Sequence, residues 1–188
     1  MELYTQWYQA IAPSVQAKAK DIKLLICDID GVFSDGSVIL GNSGEEMKAF
    51  NTKDGFGIRA LMAAGVEVAV ITGRKSTLLE IRMKGLGVNH IYQGMEDKVL
   101  GYRELLNNLN LTHEQVAYIG DDIPDVPVMK LVNLAVSVND GHPYVKSISD
   151  MVTTNNGGRG AVRELTDFLI MMQKGEEYLT THFEGTSA

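Results

Sequence analysis

Acidic residues recur at close spacing in two places along this 188-residue chain. Asp28 and Asp30 stand one residue apart in Asp28-Ile29-Asp30-Gly31-Val32, and Asp121 and Asp122 follow Gly120, with Asp125 shortly after. Carboxylates this close repel one another unless a cation or a proton lies between them. Oxygen-only sets favour a hard divalent ion such as magnesium. His90, His113, His142 and His182 show no spacing that would hold zinc. Between the acidic groups lie Thr72, in Ile71-Thr72-Gly73-Arg74, and Lys98. A hydroxyl where a strand gives way to a helix is suited to bonding a phosphoryl oxygen, and an ammonium can neutralise one. Taken singly, each residue has a plainer reading: a solvated turn for Asp28 and Asp30, an N-cap for Thr72, a surface cation for Lys98. Their joint placement points to metal-assisted phosphoryl transfer.

That placement depends on the elements around them. Short apolar runs at 23–27, 66–71, 90–92, 116–119 and 134–138 read as strands, and most are continuous rather than alternating, as a sheet buried on both faces requires. Helical periodicity fills 57–64, 77–84, 98–108, 124–131 and 161–173. Such alternation predicts an α/β three-layer sandwich with a doubly wound parallel sheet, whose ligands bind beyond the carboxyl ends of the strands. All four motifs fall there. One stretch breaks the rhythm: 37–40 and 47–50 are strand-like and flank Gly41-Asn42-Ser43-Gly44, a hairpin placed directly after the first strand.

The length suits a single domain spanning 1–188. Residues 1–21 read as a short surface-docking helix or arm, and the polar stretch from about 175 to 188 as a flexible tail. Cys27 is the only cysteine, which rules out an internal disulfide and leaves a small buried packing residue. A net charge of -7 argues against nucleic acid as a partner. No run is long and apolar enough for a membrane span, and no signal-peptide pattern opens the chain, so the expected location is cytoplasmic.

The aspartate pair, Thr72, Lys98 and Gly120-Asp121-Asp122 with Asp125 resemble the four motifs of the haloacid dehalogenase superfamily, in the superfamily's order. The stretches 44–51, 53–59, 71–74 and 157–164 are similar, more narrowly, to its family of 3-deoxy-D-manno-octulosonate 8-phosphate phosphatases. The resemblance implies a HAD-like Rossmannoid fold and a catalytic set of Asp28 (nucleophile), Asp30 (acid, then base), Thr72 and Lys98. It implies magnesium held by the side chains of Asp28 and Asp121 and the backbone carbonyl of Asp30, with Asp122 and Asp125 in support. Substrate contacts would come from Asp30, Asn51, Thr52, Lys53, Asp54, Gly55, Arg59, Arg74, Arg82 and Lys98.

About forty residues separate Asp30 from Thr72, and the interval from there to Lys98 is shorter still, so neither houses a lid domain and the chain reads as capless. The family implies a homotetramer, its subunits packed through the hairpin at about 35–50 and each site completed by neighbours. It also implies a phosphosugar substrate belonging to lipopolysaccharide inner-core sugar synthesis. A phosphatase of a nonulosonate 9-phosphate, a phosphosugar mutase and a non-catalytic phosphosugar-binding scaffold are the alternatives. Arg159 and Arg163, leading into the last helix, could bind anions or only cap it.

Overall fold

The structure, a computed structural model, describes residues 1–181. In chain order these form α1 (Glu2–Trp7), α2 (Pro13–Ala19), β1 (Leu24–Cys27), β2 (Ile39–Leu40), β3 (Glu46–Met47), α3 (Thr52–Ala63), β4 (Glu67–Thr72) and α4 (Thr77–Leu86). There follow β5 (His90–Gln93), α5 (Lys98–Leu109), β6 (Val116–Gly120), α6 (Val126–Met129), β7 (Leu134–Ser137), α7 (Pro143–Ile148), β8 (Met151–Val152), α8 (Ala161–Lys174) and α9 (Glu177–Thr181).

Six strands make one parallel sheet in the order β5-β4-β1-β6-β7-β8. Because side chains alternate across a strand, β1 feeds two cores. Leu25 and Cys27 pack with Ile58 and Leu61 of α3, Leu79 and Met83 of α4, and Leu165, Phe168 and Leu169 of α8. Leu24 and Ile26 turn the other way, toward Tyr102 and Leu105 of α5 and Val128 of α6. This is the three-layer α/β sandwich that the strand–helix alternation implies. Both cores brace the central strands, β1, β4 and β6, whose carboxyl ends carry Asp28, Thr72 and Asp121.

The differences from expectation lie where the chain is locally ambiguous. Helix α3 begins at Thr52, well before the expected 57, because Asn51 caps it by accepting from Lys53 N at 2.9 Å. Gly55, which suggests loop, and Gly57, the expected first residue of the helix, are both sites of tight packing: a Cβ on Gly55 would meet Arg82 Nη2 at 2.4 Å, and one on Gly57 would meet Thr166 Oγ1 at 2.3 Å. The expected helix at 124–131 shrinks to a 3-10 turn (Ile123–Asp125) and the single turn α6, as Pro124 and Pro127 lack backbone donors. Strand β8 is only two residues long, too short for its pattern to register. The hairpin ladder is also shorter than expected, pairing only Ile39 with Met47 and Leu40 with Glu46.

Residues 1–20 form two short helices. Tyr4 is fully buried and tilted against Phe168, and Tyr8 Oη donates to Asp167 Oδ2 at 2.8 Å, so the segment packs against α8. Of the tail, residues 182–188, with His182, lie outside the described residues, while Glu177–Thr181 is helical. No helix among the described residues is long and apolar enough to cross a membrane.

Candidate active site

Asp28 directly follows β1, and its N–H donates to Ile119 O at 3.0 Å, continuing the ladder toward β6. The chain then turns sharply. Val32, Phe33 and Ser34 all donate their N–H groups to Ile29 O at 2.9–3.2 Å, and Gly31 adopts φ 92. Only glycine suits that position, both for its φ and because a Cβ there would stand 2.1 Å from Asp121 Oδ2. The turn swings Asp30 across the mouth of the sheet. The Gly157-Gly158 pair supports it from behind: Gly158 N donates to Val32 O at 2.8 Å, and a Cβ on Gly157 would stand 1.7 Å from Gly31 O.

Lys98 opens α5, where its charge opposes the helix dipole, and it is 5% exposed. Its ammonium is tolerated there because it lies 2.8 Å from Asp28 Oδ1 and donates to Asp125 Oδ1 at 2.7 Å. Burial by itself lowers the Lys98 pKa, but the charges of Asp28 and Asp125 outweigh burial and hold it raised. Asp125 is saturated. Its Oδ1 accepts from Lys98 and from Tyr118 Oη, both at 2.7 Å, and its Oδ2 accepts from the N–H groups of Asp121 and Asp122 at 2.9 and 3.2 Å. Asp122 caps the following 3-10 turn, accepting from Ile123 N at 2.8 Å. Thr72, 2% exposed, ends β4, and its Oγ1 accepts from Arg74 N at 3.4 Å.

These groups line a cavity of about 390 Å³ that includes Asp28, Asp30, Thr72, Arg74, Lys98, Asp121, Asp122 and Asp125, with Met95 and Glu96 on its rim. Its electrostatics fit a cation. One oxygen from each of Asp28, Asp121 and Asp125 lies within 4.8 Å of the others. Burial and then the charge of Asp125 push the Asp28 carboxyl up to about 7, against the pull of Lys98. Burial and repulsion from Asp125, Asp28 and Asp122 push Asp121 up to about 8. Asp121 Oδ1 is buried without a hydrogen-bond partner, and so is Asp28 Oδ1, apart from its ionic contact with Lys98. Two raised, under-coordinated carboxylates facing one another suit a hard divalent ion. Asp125 belongs to the supporting loop, since all its lone pairs are directed at protein donors.

Sequence reasoning passes over three neighbours of this cluster. Lys48 bonds Asp30 Oδ1 from the hairpin, Glu46 Oε1 accepts from Arg74 Nη2 at 3.1 Å, and fully buried Tyr118 holds Asp125. The alternation of Glu46 and Lys48 about outward-facing Met47 is the one signal that could have marked the hairpin pair, because period two puts both on a single face. Tyr118 lies inside an apolar strand run and gives no signal.

The expected substrate residues divide into two groups. Asp30, Arg74 and Lys98 line the cavity, whereas Asn51, Thr52, Lys53, Asp54, Gly55, Arg59 and Arg82 do not line it within one chain. Residues 51–55 are the cap and first turn of α3. The Asp54 carboxylate is fully buried, pushed up to about 6 by burial, and accepts from Arg163 N at 2.8 Å and Gly160 N at 3.3 Å, capping α8. Arg59 is exposed, and Arg82 Nε is buried without a hydrogen-bond partner. Arg163 is occupied by Asp167, Nε to Oδ1 at 2.7 Å, and stacks on Phe56, whereas Arg159 pairs with Asp35 at the surface.

With this geometry in view, likeness to known proteins is informative. Residues 76–165 match the family model of the haloacid dehalogenase-like hydrolases. The 3-deoxy-D-manno-octulosonate 8-phosphate phosphatase of Yersinia pestis is 52% identical over 166 residues, covering 88% of this chain and 89% of the relative. A crystal structure of a Yersinia pestis protein of that name superposes with a TM-score of 0.90 at 51% identity, covering 91% of this chain and 92% of that one. The Moraxella catarrhalis phosphatase of the same name, solved with a magnesium ion, a phosphate ion and a KDO molecule, gives a TM-score of 0.87 at 39% identity, over 90% and 97% of the two chains.

Proposed function

This chain belongs to the 3-deoxy-D-manno-octulosonate 8-phosphate phosphatase family of haloacid dehalogenase-like hydrolases, and from that premise we propose how its own residues carry out the reaction. It is a phosphoric monoester hydrolase that converts 3-deoxy-D-manno-octulosonate 8-phosphate to the free sugar acid and phosphate. The supporting observation is the single cavity mouth where Asp28, Asp30, Thr72, Lys98 and Asp121 meet at the carboxyl ends of β1, β4 and β6.

Asp28 is the nucleophile: its carboxylate oxygen bonds to phosphorus while the ester P–O bond breaks. A phosphate dianion repels that carboxylate, so positive charge must face the phosphoryl oxygens. Lys98 faces the same mouth as Asp28 and supplies one such charge, and the Thr72 hydroxyl supplies a neutral donor. Magnesium, held by the Asp28 and Asp121 side chains and the Asp30 carbonyl, would supply the remaining neutralisation. Asp30 gives its proton to the departing sugar oxygen. It then takes a proton from the water that attacks phosphorus, and Asp28 is released as a carboxylate. Asp125, with Tyr118 behind it, keeps Lys98 and the Asp121 loop in register.

The subunits form a homotetramer through the 37–50 hairpin, where Val38, Ile39, Leu40 and Met47 are exposed. Apolar side chains beside two-residue strands ask for a covering partner. A neighbour's Asn51, Thr52, Lys53, Arg59 and Arg82, absent from the cavity of a single chain, complete each site around the sugar acid, whereas buried Asp54 serves its own chain by capping α8. The protein acts in the cytoplasm, in the synthesis of the lipopolysaccharide inner-core sugar. Light scattering on dilute protein tests the assembly, and an active monomer refutes it.

Phosphate release from a substrate panel tests the function. The octulosonate 8-phosphate should exceed a nonulosonate 9-phosphate, glucose 6-phosphate and p-nitrophenyl phosphate in kcat/KM. Arg59→Ala, Arg74→Ala and Arg82→Ala should each lower it about tenfold to a hundredfold for the acidic sugars, the loss of a charge-assisted hydrogen bond worth about 1.5–3 kcal/mol. Equal losses on glucose 6-phosphate would remove the basis for acidic-sugar recognition.

A further inference from the structure

The hairpin does more at the cavity mouth than cover it. Lys48, the residue after β3, turns its ammonium inward and donates to Asp30 Oδ1. Its side chain is 1% exposed, although Ile39, Leu40 and Met47 of the same hairpin face outward. Lysine is almost never buried without a paired charge, and Asp30 is the carboxylate it meets. Arg74 approaches the other oxygen, its Nε 4.0 Å from Asp30 Oδ2, while its Nη2 is tied to Glu46 on β3. The hairpin therefore grips the acid/base carboxylate directly through Lys48, and its neighbouring guanidinium through Glu46. Lys48 does not itself line the cavity.

We propose that Lys48 is a positioning residue for Asp30, fixing which carboxyl oxygen faces the bound phosphate ester. The proposal rests on the reading of Asp30 as acid and then base. An ammonium has three donors and no acceptor, so of the two oxygens of a protonated carboxyl it favours the carbonyl oxygen, the stronger acceptor. With Oδ1 held by Lys48, the proton of the acid form sits on Oδ2, the oxygen turned toward Arg74. That proton passes from Oδ2 to the sugar oxygen as the ester P–O bond breaks and the Asp28–phosphorus bond forms. In the second half Oδ2 accepts a proton from water as the water oxygen bonds to phosphorus and the Asp28–phosphorus bond breaks. Lys48 neither gains nor loses a proton in the cycle. A terminal carboxyl torsion is broad when nothing holds it, so without Lys48 the oxygen that must serve in both halves is no longer aimed.

The test is a double-mutant cycle on the full-length magnesium-loaded enzyme, with kcat/KM measured for the octulosonate 8-phosphate and for p-nitrophenyl phosphate. This parameter covers steps through leaving-group departure, and p-nitrophenolate departs without needing a proton, whereas a sugar alkoxide needs one. Lys48→Met should lower the sugar-phosphate value about 10- to 100-fold and the p-nitrophenyl phosphate value by at most about a third of that factor. Lys48→Arg should recover most of the loss. In an Asp30→Asn background, Lys48→Met should cost nothing further, since its effect passes through that carboxylate. Equal losses on both substrates, or a further loss in the Asp30→Asn background, would overturn the proposal. Should Lys48→Met fail to fold, Lys48→Gln takes its place in the same cycle. Parental turnover of the sugar phosphate checks the underlying reading separately: its absence removes the functional assignment, whereas its presence with equal losses removes only the role of Lys48.

Discussion

Removing the divalent ion should turn the active site into a pH-dependent liability. The folded chain holds Asp28 up to about 7 and Asp121 up to about 8, both above the 3.8 of an unperturbed aspartate. Folded protein therefore keeps protons that the unfolded chain has already released, so the stability present below about pH 4 is lost as pH rises through these values. One such group costs about 1.4 kcal/mol per pH unit across that window. From pH 5 to 7, Asp28 alone therefore removes about 2 kcal/mol, or about 4–8 °C in Tm for a chain of this size. Asp121 adds to this, but by less than its own shift implies, since the two carboxylates repel each other and share Lys98. A cation that replaces the protons should reverse the trend, because ion binding strengthens as the carboxylates ionise. The assay is thermal unfolding in EDTA and in excess magnesium across pH 5 to 8. Asp54, pushed up to about 6 away from the cavity, enters both arms equally and cancels in their difference. The magnesium-induced gain should grow by about 5 °C or more across the range, and Asp121→Asn should remove most of the growth. A gain that stays constant with pH, or an EDTA curve that rises with it, would refute the placement of the ion between these carboxylates.

Two further outcomes follow from the supporting shell. Tyr118→Phe deletes a 2.7 Å bond to buried Asp125 and leaves Lys98 less firmly placed. It should cost about 1.5–3 kcal/mol in chemical denaturation and lower kcat with KM little changed, and an unaltered kcat would detach Asp125 from catalysis. Gly157→Ala drives a Cβ into Gly31 O, so it should cost about 1–3 kcal/mol and lower kcat/KM about tenfold or more by displacing Asp30. Gly85→Ala, whose Cβ meets nothing within 4 Å on α4, should instead raise stability by about 0.5–1 kcal/mol. Equal effects of the two alanines would contradict the role given to the Gly157 contact.

Much of this architecture was legible because its signals are local. Continuous apolar runs marked the sheet, and a carboxylate, a hydroxyl and a second carboxylate at the carboxyl ends of β1, β4 and β6 marked the cavity. What the sequence left obscure depends on distance. The start of α3 was hidden by Gly55, whose missing side chain admits Arg82 and so reflects packing, not loop. The family resemblance put Asp54 among the substrate contacts, yet the partners of its carboxylate are backbone donors at the start of α8, more than a hundred residues away. Tyr118 hides in a strand whose pattern is fully apolar. Lys48 belongs to a hairpin that reads as a contact between subunits, and only the folded chain shows its ammonium on Asp30.

The central claim is that Asp28 is phosphorylated in turnover. Acid quench of the magnesium-loaded enzyme within milliseconds of mixing with the octulosonate 8-phosphate, followed by peptide mass spectrometry, tests it directly. The expected result is one phosphoryl group on the peptide containing Asp28, labile to hydroxylamine as an acyl phosphate is, and more abundant in Asp30→Asn if water attack slows more than its formation. Phosphate release with no protein-bound phosphoryl group at any time, or a phosphoryl group on another residue, would contradict the account.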